Sequence, residues 1–430
     1  MNIQKLLYQN VIWRGLFYLV TFVLNIVIAR HFESGLTGVL YYLVNVYAFI
    51  TLIASVSLEA GIIYFASSKK ILPSSLFTFA IMWTALVAFV MTALFILLTL
   101  FHVIEIEKDV FIYAVIFISG NLLITFLNSL YYAKSKFILP NVTGILINCL
   151  LLVLIFFVSD NYWLNNDKYF FIYFFSFLLQ GIVLAVVFFI NSDEIYKLRL
   201  PSVSQLKMLF NYCLLAFTSN VITFLFYRVD YWFVHHYRSA EDLGNYIQVS
   251  KITQMFFVLP GILASAVFPL TASGRRQEIN DLLKIASRTI FFLYGVACIF
   301  LALTGKWLFP FIFGETFNRM YIPFLFLIPG ILALSTLYTL TAYYAGKNRV
   351  MVSVKGSFLA LIIIVTGDAL FIPAYGILAA AAVSSLGYIA YHVFILSIFS
   401  KEYKTSINGF YIFKFSDISR MKKSILRNIN

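Results

Sequence analysis

Twelve apolar runs, each about as long as a bilayer is thick, divide this 430-residue chain almost from end to end. They fall near 9–29, 39–65, 74–100, 110–133, 139–158, 169–190, 209–235, 246–270, 289–312, 321–345, 350–372 and 376–399. A hydrocarbon core needs about 20 apolar residues per helical crossing. The pattern therefore predicts an all-α polytopic membrane protein with about twelve transmembrane helices. Composition agrees. The chain is 62% hydrophobic and 11% charged, where a soluble protein is roughly a quarter charged. A water-soluble enzyme, a disordered chain and a secreted disulfide scaffold are excluded. No connection is long enough to fold as a separate domain.

Lysine and arginine set the expected orientation. With the amino terminus in the cytoplasm, inner segments carry 22 of the 31 cations and outer segments 6, while Arg14, Arg228 and Lys251 lie within spans. This is the positive-inside pattern. It accounts for most of the +13 net charge and favours contact with anionic membrane lipid. Nucleic-acid binding is not needed to explain it. Both termini are expected in the cytoplasm. No small-residue cleavage site follows the first apolar run, so that helix is expected to stay as an anchor.

The second half of the chain echoes the first. Tyr131-Tyr132-Ala133-Lys134 closes the fourth run, and Tyr343-Tyr344-Ala345-Gly346-Lys347 closes the tenth, 212 residues later. His31-Phe32-Glu33-Ser34 through Gly38 joins runs one and two. His236-Tyr237-Arg238-Ser239 through Gly244 joins runs seven and eight. Such matches suggest a duplicated six-helix unit. Six is even, so both copies enter the membrane in the same sense and form two parallel lobes. The expected division is an amino-terminal lobe at 1–190, a cytoplasmic linker at 191–207, a second lobe at 208–400 and a basic cytoplasmic tail at 401–430. Two lobes of this kind would place a substrate path between them.

Polar residues inside the spans mark where that path would run. Helix one carries Arg14, Tyr18, Thr21 and Asn25 on one face, at steps of 4, 3 and 4. Its repeat partner carries Asn220, Thr223, Tyr227 and Asp230. Asn121, Thr125, Asn128 and Tyr132 stripe the fourth run, and Thr336, Thr339 and Tyr343 the tenth. A single Thr or Asn is explained by interhelical hydrogen bonding, worth about 0.6 kcal/mol on average. Four stripes at equivalent places point to an aqueous cavity. Arg14, Tyr18, Thr21, Asn25, Asn128, Asn220, Tyr227, Arg228, Lys251 and Gln254 are its expected lining.

Ionisable residues in a span each cost about 2.5–3.5 kcal/mol on insertion scales and need partners or water. Arg14 and Glu59 lie near inner ends, where they could pair, or Arg14 could snorkel to the interface. Arg228, Asp230, Lys251 and Asp368 lie in outer halves. Asp230 and Arg228 are two apart and do not face each other, so Lys251 on the next helix is a candidate partner for Asp230. A cation in a cavity suits a diphosphate, bound as a fork by Arg and as a point charge by Lys. Glu59, Asp230 and Asp368 are the candidates for Na⁺ or H⁺ coupling.

Other chemistry is absent from the pattern. Cys149, Cys213 and Cys298 sit in separate apolar runs without Cys/His spacing and read as packing residues. His102 and the pair His235-His236 stand at outer helix ends with no metal-ligand spacing. No nucleophile elbow, phosphate-binding loop or cofactor fingerprint occurs. Neither an enzyme, nor a metal or organic cofactor, nor ATP-driven transport by this chain alone is expected.

Several stretches resemble polysaccharide flippases of the multidrug/oligosaccharidyl-lipid/polysaccharide exporter superfamily. They are Tyr227-Arg228-Val229-Asp230, Asp242-Leu243-Gly244-Asn245-Tyr246, Val267-Phe268-Pro269, Ala29-Arg30 through Gly38, Phe313-Gly314-Glu315 and Ile372-Pro373-Ala374-Tyr375-Gly376-Ile377. Their order and spacing carry the resemblance to about Ser400. It implies a bacterial inner-membrane flippase of the O-antigen, lipopolysaccharide or exopolysaccharide type. Such a protein moves undecaprenyl-diphosphate-linked oligosaccharide between leaflets by alternating access, with polysaccharide polymerase and chain-length machinery as further partners. By the same resemblance, cavity cations such as Arg14 and Arg228 would hold the diphosphate and acidic sugars. The superfamily's drug exporters use an acidic residue for coupling, but helix one here has no carboxylate. A cation-coupled drug antiporter of the same superfamily is the first alternative, and the shortage of carboxylates in the first lobe argues against it. A membrane polymerase or ligase is the second, although its large outer loop is missing. A pure scaffold would leave the polar stripes unexplained.

Overall fold

The computed structural model of the chain describes residues 3–102, 107–157, 166–191, 199–272, 276–403 and 407–412. Among the described residues there is no strand, only helix and short connections. The first half holds α1 (Ile3–Ser55), α2 (Leu58–Ser67), α3 (Pro73–Leu100), α4 (Lys108–Ala133), α5 (Ile138–Ile155) and α6 (Asn166–Ile190). The second holds α7 (Val203–Arg228), α8 (Asp230–Tyr237), α9 (Ala240–Met255), α10 (Val258–Ala272), α11 (Arg276–Phe313), α12 (Tyr321–Gly346), α13 (Val350–Tyr375) and α14 (Ile377–Tyr403). Ten helical stretches are long and apolar enough to cross a membrane.

The described residues of all twelve expected runs are mainly helical, but they do not match the helices one to one. The connection between crossings one and two is not a loop. Helix α1 runs through it, interrupted only at Glu33, whose φ of 56° lies in the left-handed region. Crossing two then breaks at Val56 and Ser57, both left-handed (φ 48° and 55°), before α2 resumes. A β-branched residue in that conformation is uncommon and strained. Run seven is α7 followed by α8 and run eight α9 followed by α10, joined through Val229 and Phe256, which keep right-handed helical dihedrals. Broken spans free backbone groups, which a membrane tolerates only where protein or water can meet them.

Contacts divide the chain into two compact units. Unit 1 is Met1–Phe32 with Leu43–Val221, and unit 2 is Glu33–Tyr42 with Ile222–Asn430. In unit 1, α4 packs on α6, α3 and α2. Tyr47, Tyr113, Phe117 and Phe174 form an edge-to-face and stacked aromatic cluster, and the Tyr131 hydroxyl donates to the Leu184 carbonyl at 3.1 Å. In unit 2, α14 packs on α12 and α13.

The start of the tail belongs to unit 2. Phe410 is fully buried and meets Phe399 edge-on at 5.5 Å. The Tyr411 hydroxyl lies 2.6 Å from Nε2 of His392, and His392 in turn meets the Thr336 hydroxyl. Glu402 pairs with Lys347 and Arg349, each at 2.9 Å. Residues 404–406 and 413–430 of the tail, and 192–198 of the linker, lie outside the described residues.

Candidate functional site

Helix α8 begins at Asp230, which burial leaves only 2% exposed. One carboxylate oxygen accepts from the Tyr246 hydroxyl of α9 at 2.5 Å and from the Ser384 hydroxyl of α14 at 3.1 Å. The other accepts from the Tyr231 backbone N–H at 2.9 Å. Asp368 of α13 faces the same interior. It is 0% exposed, neither of its oxygens has a hydrogen-bond donor, and it feels the charge of Asp230. A buried carboxylate without donors is costly. A proton or a small cation between these groups would remove the cost. Two carboxyls, a serine and a tyrosine from α8, α9, α13 and α14 thus lie in the interior of unit 2.

The expected pairing of Asp230 with Lys251 is not what the structure shows. Asp230 turns to Tyr246 and Ser384, because α8 packs on α13 and α14 as well as on α9. Lys251 instead places its ammonium over the Tyr41 ring, a cation–π contact inside unit 2. Arg228 lies 5.6 Å above Phe224 on its own helix. Gln254 donates to the Tyr231 hydroxyl at 3.4 Å, and Tyr227 to the Tyr338 hydroxyl at 3.2 Å.

Tyr41 belongs to a segment that docks on unit 2 through the echoed motif itself. Ser34, Gly38 and Tyr41 are one face of that segment, and Ala240, Gly244, Gln248 and Lys251 one face of α9. A Cβ on Gly38 would lie 2.5 Å from the Ala240 carbonyl oxygen, and one on Gly244 would overlap the Ser34 carbonyl. Small residues four apart on both helices let their backbones meet. The Thr316 hydroxyl accepts from the Ser34 N–H at 3.0 Å, and Tyr42 stacks on His235 at 3.8 Å. Yet Thr37 and Gln248, each 0% exposed, have side-chain polar atoms without partners.

The remaining expected lining residues lie in unit 1. Arg14 is exposed and bonds the Tyr18 hydroxyl at 3.3 Å, so its neighbour is its own helix. Thr21 bonds the Phe17 carbonyl and accepts from Asn148 at 2.9 Å. Along this stripe burial rises from exposed Arg14 to Asn25 at 8%. Asn128 is half-buried on α4 with its side-chain oxygen unpaired. Asn220 donates to Ser57 at 3.0 Å, at the break in crossing two. Glu59 stands just past that break, half-buried, with one oxygen unpaired. The stripe on α12 is wholly inside unit 2: Thr336 and Thr339 are 0% exposed and meet His392 and Ser287.

Asp230 and Asp368 stand out in the sequence, but the side chains that bond Asp230 do not. Tyr246 was visible in the motif Asp242-Leu243-Gly244-Asn245-Tyr246. Ser384 had only the weak signal of a serine pair in an alanine-rich helix. His392 and Asn148 carried none. Among the described residues there is no cluster of three or more His, Cys, Asp or Glu side chains.

The polysaccharide biosynthesis protein family matches residues 27–322 of this chain. No curated protein matches. Among solved structures, the lipid II flippase MurJ in an inward closed conformation superposes with a TM-score of 0.71 at 14% identity, covering 93% of this chain and 89% of its own. An inward-facing multidrug resistance MATE family transporter of the MOP superfamily gives 0.67 at 15%, covering 91% and 96%. The eukaryotic MATE transporter AtDTX14 gives 0.60 at 13%, covering 92% and 96%. At these identities the likeness is one of fold. The match over residues 27–322 makes this chain a member of the polysaccharide biosynthesis protein family, built on the fold that flippases and MATE transporters share.

Proposed function

We propose that this protein is a flippase. It carries undecaprenyl-diphosphate-linked oligosaccharide from the cytoplasmic to the periplasmic leaflet of a bacterial inner membrane, by alternating access, for O-antigen, lipopolysaccharide or exopolysaccharide assembly. The family match over residues 27–322 is the observation that carries this reading. Arg228 and Lys251, with Arg14 at the inner end of helix one, supply the positive charge a diphosphate needs. Tyr18, Thr21, Asn25, Asn128, Asn220, Tyr227 and Gln254 offer hydroxyls and amides to sugars. The docked Glu33–Tyr42 segment serves as the outer closure, separating from α9 as substrate leaves. Asp230 and Asp368 are the coupling site for Na⁺ or H⁺, with Glu59 as the third candidate. Polymerase and chain-length proteins would take the product.

The buried acidic pair also favours a second reading, a cation-coupled drug antiporter. Substitution separates the cation-anchor idea from general damage. Arg228→Ala and Lys251→Ala should each lower transport of the lipid-linked glycan at least about tenfold, the loss expected when a charge-assisted contact of about 1.4 kcal/mol or more is removed. Cys213→Ala, at equal expression, should stay near the parent. Equal activity of all three variants would remove the cations from the mechanism.

A further inference from the structure

Unit 1 contains a feature that the transport reading does not use. A groove of about 610 Å³ opens between the first turns of α3 and the last turns of α6, walled by Phe77, Ile81, Met82, Val186, Phe189 and Leu200. Its volume is in the range of small-ligand sites, about 300–1,000 Å³. The wall is almost wholly apolar, with Val186 and Phe189 each 49% exposed. Leu200 lines the groove, and the chain just after it is held by hydrogen bonds. Ser202 and Gln205 cap each other at the start of α7, with Ser202 N–H donating to Gln205 at 2.9 Å and Gln205 N–H to Ser202 at 3.3 Å. The Gln205 side chain also donates to the Lys70 carbonyl at 3.4 Å.

The connections next to the groove's helices carry cations. Lys69 and Lys70 lead into α3, Lys134 and Lys136 follow α4, and Arg199 precedes Leu200; all five are exposed. Lys134 lies 4.6 Å above the Phe188 ring, and Phe188 stacks at 5.1 Å on Phe77 of the groove wall. No carboxylate occurs among the described residues of these three connections, while Asp193 and Glu194 lie outside them. These are connections that the Lys/Arg count assigns to the cytoplasm. An apolar groove flanked by connections that carry five cations matches an amphiphile with a negative head. Each cation near the surface favours an anionic headgroup by about fivefold.

We infer that this groove is a binding site for one acidic glycerophospholipid of the cytoplasmic leaflet, with an acyl chain against Phe77, Met82 and Phe189 and its phosphate among Lys134, Arg199 and Lys70. The site is independent of the transport reading and would exist whether or not the chain moves a glycan. The test uses the full chain in phosphatidylcholine vesicles with a trace of photoreactive lipid bearing a diazirine in its acyl chain. Labelled peptides are then mapped. The phosphatidylglycerol probe should label residues 77–82 and 185–189 several times more than the phosphatidylcholine probe. Lys134→Gln with Arg199→Gln should erase that preference, while Lys355→Gln, on α13, should leave it. Val186→Trp should exclude both probes from the groove. Equal labelling by the two headgroups would overturn the assignment, leaving only ordinary boundary lipid. So would displacement of the phosphatidylglycerol probe by polyprenyl phosphate but not by unlabelled phosphatidylglycerol, which would give the groove to an isoprenoid.

Discussion

The two units are built from similar spans, yet they bury different chemistry. In unit 1 the buried polar side chains among the described residues are all neutral: Asn25, Asn45, Asn141, and serines and threonines that mostly bond a carbonyl one turn back on their own helix. In unit 2 the interior also holds Asp230, Asp368, Arg288 and His392. A neutral hydroxyl satisfied by its own helix adds little and asks for nothing. A buried carboxylate demands a partner, and Asp368 has no hydrogen-bond donor. Of the two units, unit 2 carries the buried charge. Unit 1 has its ionisable groups at the margins, with Arg14 exposed and Glu59 half-buried.

The sharpest way to break this contrast is to neutralise one acid in each unit. Asp368→Asn and Asp230→Asn should each abolish ion-driven transport in proteoliposomes, a fall of at least about a hundredfold if a bound ion supplies ~2.7 kcal/mol of drive. Glu59→Gln should retain most of the activity. Equal loss from Glu59→Gln would place coupling in both units.

A smaller effect is expected at the crossing of the echoed motifs. Gly244→Val places a side chain where the Ser34 carbonyl lies, so the Glu33–Tyr42 segment cannot seat. A cysteine introduced as Gln248→Cys, buried in the parent, should then react with a membrane-impermeant maleimide from outside roughly tenfold faster, the shift given by about 1.4 kcal/mol. Unchanged labelling would mean that the crossing is not the outer closure.

The third effect is smaller and opposite in sign. Gln248 is buried with neither amide atom bonded. Gln248→Leu removes that unmet demand and should favour the seated segment by about 1 kcal/mol. Transport should slow several-fold as the closure opens less often, while thermal stability rises. Faster transport would show that Gln248 gains partners in the seated state.

Much of this arrangement was legible in the sequence because hydrocarbon imposes length. The apolar helical runs followed from hydropathy, and the paired motifs at Gly38 and Gly244 from the internal echo. The break at Glu33 falls in the expected joint at 31–38, but the break at Val56–Ser57 was not legible, since no glycine or proline marks it. The acidic residues were visible as charges out of place. Their partners were not, because a serine such as Ser384 is common in membrane helices and only the meeting of α8, α9, α13 and α14 gives it a role. The stripe Thr336, Thr339, Tyr343 has the right period, but a period does not distinguish a cavity from the inside of a packed unit.

The most direct test of the account is which leaflet holds the substrate. Purified protein is placed in liposomes with fluorescent undecaprenyl-diphosphate oligosaccharide, and a membrane-impermeant quencher reports the accessible pool. The account predicts that the protected inner-leaflet pool becomes quenchable when protein is present, and stays protected with the Arg228→Ala/Lys251→Ala double variant. If the pool stays protected with the parent protein, while a cation gradient drives efflux of a small dye, the flippase reading is contradicted and the antiporter takes its place.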